Sequence, residues 1–134
     1  MMRMFKLKRD ERGAAAIEMA ISLPVLVFFI YGIFESALLL WASAGMQHAI
    51  GEGARLATIF PTPSATAVSD QVTATLFGTY DAKSGYPTVS VVKNTLGSSK
   101  WYTITVTYKR DVTFLFLASR EITLTQSKRV YIAQ

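Results

Sequence analysis

The sequence predicts an α+β protein. A long N-terminal transmembrane helix continues into an amphipathic helix, and a short second helix and a small antiparallel sheet of three or four strands follow. Three observations predict this order: an apolar run near the N-terminus, apolar residues spaced by three and four beyond it, and alternating β-branched residues in the C-terminal half. The 134 residues allow one domain. We divide the chain into a leader (1–13), a helical segment (14–60) and an extracytoplasmic α+β domain (61–134).

The leader is basic, and its charge predicts how the chain lies in a membrane. Five Lys and Arg residues stand against two acidic residues, which leaves a net charge of +3 before the apolar run. Positive charge beside an apolar segment is retained on the cytoplasmic side. We therefore expect the domain outside the cytoplasm and membrane lipid as a partner. No nucleic-acid partner is expected, because most of the excess charge lies in the leader.

The apolar run from Ala14 to Trp41 is long enough to cross a membrane. Its 28 residues would extend about 42 Å as a helix, against a hydrocarbon core of about 30 Å. We predict the membrane-spanning part at about 19–41. Glu18 and Glu35 lie about 25 Å apart along this helix, so Glu18 near the inner boundary puts Glu35 near the outer one. We expect Glu35 to reach toward water there, or else to contact a partner.

Pro24 and several glycines mark positions where the helix can bend or approach a neighbour. Pro24 has no N–H to donate to the preceding turn, which predicts a kink or local loosening, and Ser22 could satisfy part of the freed backbone. Gly32, like Gly45 and Gly53, permits close helix packing or a partner contact in a membrane.

The helical pattern continues past the membrane. Apolar residues keep the spacing of three and four while polar residues, His48 among them, take the other side. We predict one helix from about Ala14 to Thr58, ended by Pro61 and Pro63. The apolar positions of its outer part are Met46, Ala49, Ile50, Gly53, Leu56 and Ala57.

The remaining chain predicts a short helix and strands. Ser64 or Thr66 would cap a helix near Ala67–Phe77. Val112–Leu117 is apolar and predicts either a strand extension or a membrane-proximal loop. Alternation predicts strands at Thr88–Lys93, Trp101–Lys109 and Ile122–Ile132.

The junction at Gly13 has the pattern of a processing site. Glycine lets a membrane protease approach the backbone closely, and the basic leader holds the site at the cytoplasmic face. A cut after Gly13 would create an α-amino group on Ala14. Glu18 follows four residues later on the same helix face, about 6 Å away. Its carboxylate could pair with the new amino group of a neighbouring subunit.

Three stretches resemble the TadE-like family of tight-adherence (Tad) pilus systems: RGAAAIEMAISLPVL (12–26), YGIFESALLLWASAGMQHAI (31–50) and GEGARLA (51–57). The resemblance implies a minor pilin or pseudopilin of the bacterial inner membrane that acts in pilus assembly, adherence or secretion. It implies cleavage after Gly13 by a prepilin peptidase, the pilin role for Glu18, and other pilin subunits and Tad assembly-platform proteins as partners.

One residue departs from this pattern. Major pilins of these systems usually follow the glutamate with tyrosine, whereas this chain has Met19. This residue and the large C-terminal part both argue that the chain is not the main filament subunit. The resemblance does not reach residues 62–134.

Two alternatives to a processed pilin remain open. It could be an uncleaved single-pass protein with an extracytoplasmic binding domain. It could also be secreted after a cut at Ala42-Ser43-Ala44, although the apolar run is longer than that of a signal peptide.

We expect no enzyme, cofactor or metal site. The chain has no cysteine, and its one histidine, His48, has no partner in the sequence pattern that would make it catalytic. Paired carboxylates at catalytic spacing are missing from the domain, where Asp70, Asp81 and Asp111 are typical of caps and turns.

Overall fold

A computed structural model describes residues 11–113 and 118–132. The chain forms one long helix, a short helix and an antiparallel sheet, which confirms the predicted α+β class. The leader residues 1–10 lie outside the described residues. So do residues 114–117, which carry most of the apolar piece predicted as a strand extension or loop.

The long helix α1 spans Glu11–Ala57 without interruption. At a rise of 1.5 Å per residue its 47 residues extend about 70 Å. The helix continues through Pro24, and the bend expected there stays a prediction. The Ser22 hydroxyl donates to the Glu18 carbonyl. Pro24 leaves the Ala20 carbonyl without its helical N–H donor. The Ser22 hydroxyl does not replace that donor, because it is hydrogen-bonded to Glu18 instead.

The second helix α2 spans Ala65–Thr75, two residues earlier at both ends than predicted. Ser64 is its N-cap, and its side chain accepts a hydrogen bond from the Ala67 amide at 3.1 Å. Val68 and Val72 are fully buried on the face that packs against α1.

Three antiparallel strands follow in the order β1-β2-β3. Their bounds are Thr88–Leu96, Ser99–Val112 and Arg120–Tyr131. A fourth strand is not present among residues 11–113 and 118–132. β2 is the central strand and extends as far as Val112, three residues beyond its predicted end.

The core lies between β2 and the outer half of α1. Alternate residues of β2 are buried, as the period of a strand with one covered face requires. They meet a buried stripe on α1 that follows the predicted spacing, although Leu56 is only half-buried. The principal members are Tyr102, Ile104, Val106 and Tyr108 of β2 and Ala42, Met46, Ala49 and Ile50 of α1.

The central strand runs antiparallel to α1. Near the start of β2, the Tyr102 hydroxyl donates to the Pro63 carbonyl, just beyond the end of α1, at 2.9 Å. Near the end of β2, Arg110 reaches Glu35 in the middle of α1. The end of the sheet at Val112 therefore lies beside Glu35, and we call this end the base of the domain.

Candidate cleavage and helix-packing site

The candidate cleavage bond lies in the first turn of α1. Gly13 is half-exposed and Ala14 is exposed, so both are accessible from solvent. Gly13 has no side chain, so a protease could approach the backbone closely at this bond.

Glu18 lies one turn beyond Ala14, and its side chain is exposed. No ion pair to Glu18 is found among the residues that the structure describes. A shallow groove of about 500 Å³ starts at this carboxylate and continues along the helix. Its walls are Ile21, Ser22, Val25, Leu26 and Phe29. Glu18 therefore stands at the N-terminal end of an apolar surface.

A second groove continues the first toward the domain. It encloses about 390 Å³ between Phe29 and Leu40, and Gly32 is among its lining residues. The Ser36 hydroxyl beside it donates to the Gly32 carbonyl at 2.8 Å, so this polar group is satisfied within the helix. Together the two grooves form a stripe with spacings of four and three, which we call the helix seam: Glu18, Ser22, Val25, Phe29, Gly32 and Ser36.

The domain leaves the helix seam open. The face of α1 covered by the sheet begins at Glu35 and continues through Leu39, Ala42 and Met46. Consecutive helical residues are turned by about 100°, so the stripe that contains Glu35 lies about a quarter-turn from the one that contains Ser36. A second helix could therefore lie on the seam beside the domain. The spacings are those by which packed helices interdigitate.

The structure places Glu35 differently from the sequence expectation. Its side chain is 5% exposed and lies 3.2 Å from Nη2 of Arg110, rather than reaching toward water. Arg110 is also buried, and the Asp81 carboxylate lies 3.8 Å from the same nitrogen. The prediction of a water-directed boundary residue is wrong in this respect, because strand β2 covers that face of α1. A contact of Glu35 with another subunit stays a prediction.

The sequence analysis missed Arg110 as the partner of Glu35. The available signal was the alternation of β2, in which every second residue from Tyr102 faces inward and Arg110 is the one charged member. A charge on a buried face needs a partner of opposite sign. The alternation, however, does not say which of the carboxylates along the chain supplies it.

A network of partly exposed ion pairs also lies at the base. Lys83 lies 2.5 Å from Glu121 and 3.5 Å from Asp111, and Lys109 lies 3.3 Å from Glu121. Hydrogen bonds from Lys83 and Lys109 lower the pKa of the Glu121 carboxyl. The same bonds raise the pKa of both ammonium groups. Burial raises the pKa of Tyr108, whose hydroxyl donates to the Tyr80 carbonyl at 2.6 Å.

His48 is exposed on α1, and its ring centre lies 5.7 Å from that of Phe77. Within the described ranges, no group of three His, Asp or Glu residues is placed to hold a metal ion. The expectations of no enzymatic activity and no cofactor stay predictions.

The comparisons with known proteins bear on α1. One helix among the described residues, Gly13–Ala57, is long and apolar enough to span a membrane, a property shared by some core helices and by signal sequences. No curated protein and no solved structure shows significant similarity to the chain. The family model of the TadE-like proteins matches residues 13–55, about a third of the chain. The match begins at the predicted cleavage glycine and covers the helix seam. The predicted resemblance is confirmed: the chain carries a TadE-like segment in its long helix, which relates it to the proteins of Tad pili.

Proposed function

We propose that this protein is a minor pilin or pseudopilin of a Tad-type pilus, anchored in the bacterial inner membrane by α1 with its domain facing outward. A prepilin peptidase would cut after Gly13, and the mature helix would pack against other pilin helices through the helix seam. The protein would then act in pilus assembly, and through it in adherence or secretion. The observation that carries the proposal is an exposed Glu18 at the inner end of a continuous exposed seam.

The seam gives Glu18 a physical reason to be there. An isolated carboxylate at the end of an apolar helix is costly to bring into a packed helix bundle, because burial removes its water. The α-amino group created on Ala14 of a neighbouring subunit would neutralise it. Subunits that pack along the seam would then be favoured only after cleavage, since the uncut leader lacks that amino group. Processing and assembly are coupled in this way.

The mass and N-terminal sequence of the protein purified from its native host test the cleavage step. An N-terminus at Ala14 is expected. An intact leader would instead favour an uncleaved single-pass protein, and an N-terminus at Gly45 would contradict both membrane-anchored functions.

A Gly13→Leu variant is expected to stay unprocessed, because its side chain blocks close approach to the backbone. Gly51→Leu adds the same side chain to α1 at a position where a Cβ would meet nothing within 4 Å, and it should be processed normally. Normal processing of Gly13→Leu would argue against the site.

The assembly step is tested with Glu18→Gln. This variant should be cleaved like the wild type, but it should no longer be recovered with the sheared pilus fraction or with the assembly proteins. Glu52→Gln is the matched control, since it removes one half-buried carboxylate of α1 that pairs with Arg55 and lies outside the seam. Normal recovery of Glu18→Gln would refute the pairing of Glu18 with a neighbouring subunit.

A further inference from the structure

Two exposed aromatic rings lie side by side near the base of the domain. Trp41 of α1 and Tyr80 of the loop after α2 meet edge to face with ring centres 6.2 Å apart. Trp41 is 53% exposed and Tyr80 is 60% exposed, so neither ring is accounted for by the core. Rings with an apolar body and one polar group are the side chains that concentrate at membrane–water interfaces.

The loop that carries Tyr80 extends along α1 from Trp41 toward Glu35. Gly78 packs directly against Trp41, and two residues later the Tyr80 carbonyl accepts from Tyr108. The next residue, Asp81, lies beside Arg110, the partner of Glu35. Along the helix axis, the Tyr80 backbone therefore lies between the levels of Trp41 and Glu35.

This level coincides with the outer edge of the membrane span. Large side chains of α1 before Glu35 are exposed, including Ile30, Ile33 and Phe34, whereas strand β2 covers one face from Glu35 onward. The twenty helical residues 15–34 extend about 30 Å, which matches a hydrocarbon core. On this basis the outer edge of the span is put at Glu35 rather than at about residue 41, the end expected from the sequence. The Cα of Trp41 would lie about 9 Å beyond Glu35 along the helix. Helical side chains lean toward the N-terminus, so the Trp41 ring lies nearer to Glu35 and reaches the headgroup layer, which is roughly 5–7 Å thick on each side.

The base is compatible with a neutral lipid surface. Its four cations, Lys83, Lys109, Arg110 and Arg120, stand against four carboxylates, Glu35, Asp81, Asp111 and Glu121, which leaves no net charge. All of these except Arg120 lie in the ion pairs described above. Electrostatic attraction to anionic lipid is therefore not what would hold the base to a membrane.

We propose that Trp41 and Tyr80 form a lipid-contacting surface by which the domain is seated on the phospholipid headgroups of the outer leaflet. The inference rests on the membrane anchoring in the proposed function and adds a second contact with the bilayer. Lipid fits this surface better than a second copy. Trp41 is five residues beyond Ser36 and therefore lies about 140° around α1 from the helix seam. A helix packed on the seam would leave the ring pair uncovered.

The chain offers its own reporters for a test, because it contains two tryptophans at opposite ends of the domain. Trp101 stacks near Tyr131 and under Arg129, at the end of β2 that lies beside the C-terminus of α1. A Trp101→Phe variant reports on Trp41 alone, and a Trp41→Phe variant reports on Trp101 alone. A triple variant with Trp41→Phe, Trp101→Phe and Tyr80→Trp has its single tryptophan at position 80 and reports on the loop.

Each full-length variant is reconstituted into phosphatidylcholine vesicles with or without brominated acyl chains, and tryptophan quenching is measured. The Trp41 and Tyr80→Trp reporters should both lose intensity, by at least about twice the fraction lost by Trp101, because the distal end lies beyond the headgroup layer. Quenching of Trp41 without quenching of the Tyr80→Trp reporter would overturn the inference, since only the helix would then reach the lipid. Blue-shifted but unquenched emission from both would assign the surface to a protein contact, such as a second copy, and also overturn it.

Carbonate extraction of the same vesicles separates this result from the proposed function. One outcome is a chain that resists extraction while its Trp41 and Tyr80→Trp reporters stay unquenched. In that outcome the helix is anchored in the bilayer but the domain does not contact the headgroups, so only this inference fails. A chain that carbonate releases is not anchored, and both the inference and the membrane-anchored function fail.

Discussion

At the scale of single residues, two glycines determine how closely the domain packs on α1. A Cβ at Gly53 would overlap Cγ2 of Val72 on α2, and one at Gly45 would overlap the backbone carbonyl of Phe77. The sequence analysis noted only that such glycines permit close helix packing within a membrane. Their contacts within this chain show another cause, because both lie beyond Glu35 on the part of α1 that the domain covers.

Replacement of Gly53 by alanine is expected to lower the free energy of unfolding by about 1–3 kcal/mol, the usual cost of overpacking a core. Gly51→Ala is the matched control, since a Cβ there meets nothing within 4 Å. Alanine favours helix by about 1 kcal/mol over glycine, so the control should be neutral or stabilising. Thermal unfolding of the full chain in detergent micelles, followed by Trp101 fluorescence, measures both, and equal melting temperatures would contradict the packing role of Gly53.

At the scale of secondary-structure elements, the ion-pair network at the base ties the loop after α2 to two strands. Lys83 of the loop bonds Glu121 of β3 and lies near Asp111 of β2, while Lys109 of β2 reaches Glu121. The Lys83 amide also donates to the Lys109 carbonyl at 2.8 Å. The side chains of these charged groups are 29–50% exposed, so salt weakens the network.

This network has a defined pH window. Hydrogen bonds lower the folded-state pKa of Glu121 from its ordinary 4.5, so its contribution is present above that pH and is lost as pH falls through the folded pKa. Lys83 and Lys109 have pKa values raised above 10.5, so their contribution is present below that pH and is lost as pH rises through the folded pKa.

The pKa of the Glu121 carboxyl, measured by carbon NMR of the full chain in micelles, is accordingly expected below 4.5. Lys83→Gln should move the midpoint back toward that value, because the bond to Lys83 is the largest cause of the shift. Lys100→Gln removes a lysine of the β1–β2 hairpin, far from the base, and should leave the midpoint where it was. A midpoint that is insensitive to Lys83 would refute the network.

At the scale of the whole molecule, the pair of Glu35 and Arg110 joins the sheet to the long helix α1, the candidate membrane span. Both side chains are about nine-tenths buried or more. Glu35 Oε2 and Arg110 Nε make no hydrogen bond among the described groups. Such a pair adds little over apolar residues of the same size, yet removal of one partner leaves a buried charge uncompensated.

An Arg110→Met variant should therefore be destabilised by about 3–5 kcal/mol, and the double variant with Glu35→Gln should recover much of that loss. Thermal unfolding in micelles provides the measurement. Arg55→Met is the control, because it breaks the exposed pair with Glu52 and should change stability by less than about 1 kcal/mol. If the double variant were no more stable than Arg110→Met, the coupling between Glu35 and Arg110 would be absent.

The sequence by itself determined the elements and the candidate site. Helical spacing, the capping Ser64 and the alternation of β2 are local properties, and each is set by residues a few positions apart. The order Gly13, Ala14, Glu18 and the spacing of the helix seam are local in the same sense. They were therefore readable before any contact was known, and so was the TadE-like resemblance of residues 13–55.

Only the tertiary structure decided how these elements meet. Glu35 and Arg110 are 75 positions apart, and Trp41 and Tyr80 are 39 apart, so no local pattern pairs them. Their contacts follow from β2 running antiparallel to α1, which brings the end of the sheet back to the middle of the helix. This return turns Glu35 from a residue expected in water into a buried one, and it brings Trp41 and Tyr80 together near the base of the domain.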